Sequence, residues 1–90
     1  MLAIRIAETD PDQQGKRRTW LEAHQAYLRS GLIQVLQSGP LFEGDEQFGA
    51  MLVADVAGVA ELEDFSAGDP FVIHGIYRHV RCLRWSRTIG

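Results

Sequence analysis

Between Trp20 and Leu28 the chain reads WLEAHQAYL, and Trp20, Leu21, His24, Tyr27 and Leu28 recur at i, i+1, i+4, i+7 and i+8. That is one stripe of a 3.6-residue period. The spacing predicts a helix with the stripe turned inward, which places an imidazole among buried side chains. Left without a hydrogen-bond partner there, a polar group costs about 1 to 3 kcal/mol. The fold must therefore bring a partner to His24, and the candidate is Asp69, the acid before Pro70 at a second helix start.

On either side of this helix the periodicity falls to two. Leu2, Ile4 and Ile6 alternate with Ala3, Arg5 and Ala7, a first strand with one face on the core. Thr9-Asp10-Pro11-Asp12 combines capping side chains with a proline suited to a first turn, so the helix starts between Pro11 and Lys16. It runs to Arg29 or Ser30, and Gly31 can take the left-handed conformation that ends it. Leu32 to Leu41 reads as a second strand, broken at its far end by Ser38-Gly39-Pro40. Glu43-Gly44-Asp45-Glu46 turns the chain into a third strand, Gln47 to Val56, with Phe48, Ala50, Leu52, Ala54 and Val56 on one face. The tip from Leu41 to Gln47 is expected to be exposed and mobile, able to cover the Ser-Gly-Pro end.

Val59, Leu62 and Phe65 mark a short helix over Val59 to Ala67, closed by Gly68, and Asp69-Pro70 opens a further turn before Gly75. Ile76 to Trp85 is the fourth strand, with Ile76, Val80 and Cys82 set against Tyr77, His79, Leu83 and Trp85. The order β-α-β-β-α-β predicts an α+β, ferredoxin-like unit: a four-stranded antiparallel sheet with helices on one face. The other face then carries Met51, Val53, Leu83 and Trp85, with Arg5, His79 and Arg81 among them. So apolar a face is expected to pair with that of a second copy, giving a homodimer.

Length and charge narrow the function classes. Ninety residues, read as a single domain over 1-90, bury a marginal core, which dimerisation would supplement. No apolar run approaches the roughly 20 residues of a membrane span, and the N-terminus is acidic too early for a secretory signal. The lone Cys82 permits no intrachain disulfide, in keeping with a cytoplasmic protein. Net charge is -3, with residues 43 to 69 free of Lys and Arg and residues 70 to 90 free of acids. Charge complementarity within or between subunits is the expected use of that asymmetry. Nucleic-acid binding is not expected, because Arg78, Arg81, Arg84 and Arg87 point to both faces of a strand.

A general base needs an unprotonated imidazole nitrogen facing its substrate, and a carboxylate on the other nitrogen fixes that tautomer. Asp69 can cap the helix start with one oxygen and hold His24 with the other. Arg17 lies seven residues before His24, two turns away on the same helical face, and can hold an anionic group near the base. Ser38 and Gly39 close the pocket from the strand end, where Gly39 lets a ligand approach the backbone. No nucleophile elbow surrounds Ser38, and Cys82 reads as a small core side chain. His24, His74 and His79 have no metal-ligand spacing and there is no glycine-rich phosphate loop, so no metal or cofactor is expected.

Arg17, His24, Tyr27-Leu28, Ser38-Gly39-Pro40-Leu41, Gly49, Met51-Leu52-Val53 and Asp69-Pro70-Phe71 with Gly75 and Trp85 together resemble the YciI (YCII-related) family of small bacterial proteins. The resemblance spans nearly the whole chain. It implies a ferredoxin-like, dimeric α/β-barrel fold and an active-site pair that falls on His24 and Asp69. It also implies lyase or isomerase chemistry, dehydrochlorination of chlorinated hydroxyquinols being the activity best associated with the family. Members often carry a second arginine three residues before the histidine; here that position is Leu21, which leaves Arg17, or Arg18 in its place, as the anion binder. The reading is a small-molecule lyase or isomerase working by proton transfer on a phenolic or cyclic substrate, and the alternative is a non-catalytic dimeric module that binds a small ligand.

Overall fold

In a computed structural model describing residues 1-90, the N-terminal alternation forms strand β1 (Leu2–Thr9). Asp10 accepts from the Asp12 N–H at 2.9 Å and so caps a 3-10 turn, Pro11–Gln13, that feeds α1 (Gln14–Leu28). Gly31, at φ 81°, turns the chain out of the helix region. There follow β2 (Gln34–Glu43), β3 (Glu46–Asp55), α2 (Val59–Ala67), the single turn α3 (Pro70–Ile73) and β4 (Tyr77–Arg84). The strands lie in the order β2-β3-β1-β4 with every neighbouring pair antiparallel. With the helices against one face, this is the ferredoxin-like arrangement.

The hairpin departs from the sequence reading at both ends. β2 begins later, at Gln34, leaving Ile33 buried in the connection, and it runs through Ser38-Gly39-Pro40 to Glu43. Pro40 is tolerated because β2 is an edge strand, where one side of the backbone has no ladder to complete. Glu43 pairs with Glu46 across a two-residue turn in which Gly44 takes φ 61°. The stretch from Leu41 to Gln47 is exposed from Phe42 to Glu46, as expected, and is strand-paired with a register shift between Leu41 and Phe42 and closed by a tight turn.

The two faces of β1 are the reverse of what its hydrophobicity suggests. Ala3, Arg5, Ala7 and Thr9 are buried on the helix side, and Leu2, Ile4 and Ile6 look the other way. The alanines let the helices approach: Ala3 packs with Leu62 and Phe65 of α2, and Ala7 with Phe71, Ile76 and Tyr77. Arg5 is thus not on the open face; it is tolerated beneath the helices because it meets Asp69 there. On the open face Ile4 lies between Val53 and Leu83, and Ile6 between Met51 and Arg81.

A register shift between Glu8 and Thr9 makes a second correction. Glu8 pairs with His79 and Thr9 with Tyr77, so Arg78 is an extra residue and the alternation of β4 changes phase there. Tyr77 consequently joins the helix-side core, although the pattern of the later strand had grouped it with His79 and Leu83. Arg78 turns outward and pairs with Glu8. No ion pair joins the acidic block of residues 43 to 69 to the arginines of residues 70 to 90; Asp69 pairs with Arg5 and His24, and Asp55 with the N-terminal amine. No helix is long and apolar enough to cross a membrane.

Candidate active site

Three elements converge on one buried carboxylate. Asp69 ends the α2 segment and caps α3: its Oδ1 accepts from the Phe71 N–H at 2.9 Å, the bond its position before Pro70 suits it for. The same Oδ1 lies 2.7 Å from His24 Nδ1, reaching across from α1. Its Oδ2 accepts from Arg5 Nη1 at 2.9 Å, from the floor provided by β1. Asp69 is fully buried, Arg5 2% exposed and His24 6% exposed, so this ion cluster is screened from water on nearly every side. One aspartate therefore holds an α-helix, a capped turn and an inner strand together.

Aromatic rings fix the imidazole. His24 stacks on Phe71 with ring centroids 3.9 Å apart and planes 3° from parallel, and Tyr77 meets it edge-on at 5.8 Å. Tyr77 meets the Phe71 ring edge-on as well, at 5.3 Å, and the Arg5 guanidinium lies 5.4 Å from its centroid. Ser66 Oγ accepts a longer bond from Arg5 Nη1 at 3.4 Å and touches Cys82 Sγ at 3.8 Å. Behind the cluster the Tyr27 hydroxyl donates to the Phe65 carbonyl at 2.8 Å, tying α1 to α2.

Burial alone would raise the Asp69 carboxyl, but the His24 hydrogen bond and charge, the Phe71 N–H and the Arg5 guanidinium outweigh it and hold the carboxyl below its ordinary value. Asp69 is therefore ionised at neutral pH. An ionised carboxylate can only accept, so the neutral His24 ring carries its proton on Nδ1 and leaves a lone pair on Nε2. Nε2 has no hydrogen bond within the chain, and His24 lines an open cleft of about 840 Å³. Burial pushes the Tyr77 phenol up, so Tyr77 stays neutral in the same wall.

The cleft runs between α1 and the exposed helix-side surface of β2 and β3. Arg17, Ser38 and Gly39 all line it, together with His24. Arg17 lies beyond the Phe71 ring, its guanidinium carbon 5.9 Å from the centroid, whereas Arg18 is exposed and outside the cleft. Ser38 sits on the outer wall, in the same cross-strand row as Leu52 and Arg5. Leu21 contributes apolar wall to the cleft. Asp69 does not reach the cleft; it stands behind the imidazole. Sequence reasoning missed Arg5, Phe71 and Tyr77 as parts of this cluster. Phe71 stood in the Asp69-Pro70-Phe71 motif, and Arg5 carried a physical signal, since an arginine between two alanines on one strand face needs a buried anion once those alanines pack. No group of three or more His, Cys, Asp or Glu side chains is placed to hold a metal ion.

Among solved structures, the chain is similar to 5-chloro-2-hydroxyhydroquinone dehydrochlorinase of Burkholderia phenoliruptrix in complex with 2,5-dihydroxybenzoquinone, with a TM-score of 0.82 and 23% identity over 96% of this chain and 94% of that one. It is also similar to a haem-degrading protein of Mycobacterium tuberculosis (TM-score 0.55, 15% identity, all of both chains). A cofactor-independent oxygenase of Streptomyces nogalater aligns with a TM-score of 0.55 at 9% identity, over 98% of this chain and 94% of that one. At these identities the likeness is one of fold, and the fold hosts unrelated chemistries. No curated protein matches the chain. The family model of the YCII-related domain matches residues 1–86, nearly the whole length, and the chain belongs to that family.

Proposed function

We propose that this protein is a small-molecule lyase or isomerase in which His24 is the general base, Asp69 its orienting partner, and Arg17 an anion-binding group, with Ser38 and Gly39 lining the far side of the substrate. The observation that carries the reading is the 2.7 Å contact of His24 Nδ1 with a buried, multiply bonded Asp69, which leaves Nε2 without a partner in the chain on a residue that lines the cleft. Nε2 takes a proton from a substrate carbon or hydroxyl. The electron pair released forms the new double bond, and in an elimination the leaving group departs with its own pair. Proton transfer to a positioned base contributes about 10²- to 10⁴-fold, and Asp69 stabilises the imidazolium that results. The dehydrochlorinase similar in fold acts on a chlorinated hydroxyhydroquinone by its name, and that name supports phenolic or cyclic substrates for this cleft.

The same reading includes a homodimer. Ile4, Ile6, Met51 and Leu83, with Val53 buried among them and Arg81 at the flank, lie on the sheet face away from the helices, and a second copy of that face is its natural cover. The experiment that tests the catalytic reading is solvent-deuterium incorporation and halide release across a panel of chlorinated hydroxyquinols, small phenols and lactones. Wild-type protein should turn over at least one of them, and His24→Ala should abolish that turnover while keeping the wild-type fold. Saturable binding without proton exchange, undiminished in His24→Ala, would instead identify a binding module.

A further inference from the structure

Arg5 holds more hydrogen-bond donors than its ion pair uses. A guanidinium offers five N–H groups. Here Nη1 serves Asp69 Oδ2 at 2.9 Å and Ser66 Oγ at 3.4 Å, Nη2 makes no hydrogen bond within the chain, and Nε is buried with no partner at all. An orphaned buried donor of this kind costs about 1 to 3 kcal/mol. Yet the side chain is not sealed away: it is 2% exposed and contributes to the cleft wall.

Its position in the sheet says which part of the cleft it serves. The register Arg5 to Leu52 to Ser38 lays one row of side chains across the floor, with Arg5 at the inner end beneath His24 and Ser38 at the outer edge. Arg17 and Arg29 also line the cleft, and no aspartate or glutamate does. Asp69, which neutralises Arg5, is shared with His24. The buried trio of Arg5, Asp69 and His24 is therefore neutral overall with a neutral imidazole and gains a full positive charge when Nε2 takes a proton.

We propose that Arg5 is a ligand-binding group of this site: its Nη2 donors, unused within the chain, receive the anionic oxygen of a small, planar, resonance-stabilised oxyanion, a carboxylate or an enolate, from the cleft floor, and the buried Nε–H reports the change in the guanidinium. Arg17 reaches the same ligand from the rim. This assignment rests on the reading of His24 as a base acting in this cleft. A proton leaving the ligand goes to Nε2, and the electron pair it leaves behind delocalises onto the oxygen held at Arg5, next to the charge that has just appeared on the trio. The planar fork suits a carboxylate edge, and the buried setting strengthens the bond.

Benzoate and its neutral isostere benzamide are the probes, followed by calorimetry and by the NMR signals of the His24 ring and the Arg5 Nε–H. Wild-type protein should bind benzoate about tenfold or more tightly than benzamide, as expected for one charge-assisted hydrogen bond. Benzoate should also move the Arg5 Nε–H signal. Arg5→Gln, which keeps a donor but no charge, should lose most of the preference, leaving only what Arg17 supplies from the rim. Benzoate that perturbs His24 while leaving the Arg5 Nε–H unmoved, or that keeps its preference in Arg5→Gln, overturns the role of Arg5 and leaves the base reading standing. Failure of both probes to perturb His24 overturns the two together. Should Arg5→Gln not fold, the wild-type Nε–H signal decides alone.

Discussion

Phe71 fixes both members of the His24 and Asp69 pair at once: its ring stacks on the imidazole at 3.9 Å, and its backbone N–H donates to Asp69 Oδ1 at 2.9 Å. The two duties can be separated, because a side-chain substitution leaves the N–H in place. Phe71→Ala should destabilise by about 3 to 5 kcal/mol, the usual range for a buried phenylalanine. Phe71→Leu should cost less in stability but let the imidazole tilt, so kcat should fall several-fold with little change in KM. Thermal unfolding and steady-state kinetics check both, and an unchanged kcat in Phe71→Leu would show that the stack does not position the base.

The helical stripe, the turns and the element order were legible because each is a local pattern: the His24 spacing, the Asp69-Pro70 cap and the Gly44 turn depend on neighbours in sequence. The pairing of His24 with Asp69 was legible for a different reason, that a buried imidazole needs a partner and few acids follow it in a capping position. What could not be read were the faces of β1 and the phase of β4. Both faces of this sheet are apolar, so Leu2, Ile4 and Ile6 look like core whichever side the helices take. The phase of β4 depends on the single extra residue Arg78, which no alternation of apolar residues reveals. Those two non-local facts are what carry Arg5 and Tyr77 into the site.

The open face sets a prediction about assembly. Val53 is already 4% exposed within one chain, so an acid there would unfold the protomer and report nothing on association. Leu83 is half-buried at the flank of the same face, and a lysine there can extend its head into water in an isolated protomer but not between two apposed sheets. Leu83→Lys should therefore sediment as a folded monomer where wild-type protein sediments as a dimer. A wild-type monomer at micromolar concentration removes the dimer from the proposal.

Gly49 makes a sharper structural prediction. A Cβ at this position would fall on the carbonyl oxygen of Ala7 in the neighbouring strand, and neither backbone can yield without breaking the β1 and β3 ladder. Gly49→Ala should lower the unfolding free energy by roughly 1 to 3 kcal/mol, the scale of overpacking in a tight interior. Chemical denaturation measures it, and wild-type stability in the variant would mean that the strands separate there at no cost.

Asp69 links stability to pH, and the sign follows from the direction of its shift. The folded carboxyl titrates below its ordinary value of 3.8, so its contribution is complete above that value and is lost as pH falls through the folded value. Asp69→Asn has no such proton to gain. The stability gap between wild-type and Asp69→Asn should therefore narrow as pH falls below about 4, where the wild-type carboxylate takes up its proton. Asparagine keeps an oxygen for the Phe71 N–H but cannot neutralise Arg5, which is 2.9 Å from Oδ2 and buried. The cap alone is thus a poor guide to the cost: Asp69→Asn should destabilise at neutral pH by about 3 to 5 kcal/mol, as for other buried pairs broken from one side. Adding Arg5→Met to Asp69→Asn removes the stranded charge and should recover much of that loss, a coupling that unfolding of the four proteins of the cycle measures directly. Strictly additive losses would show that Arg5 and Asp69 act on stability independently despite their contact.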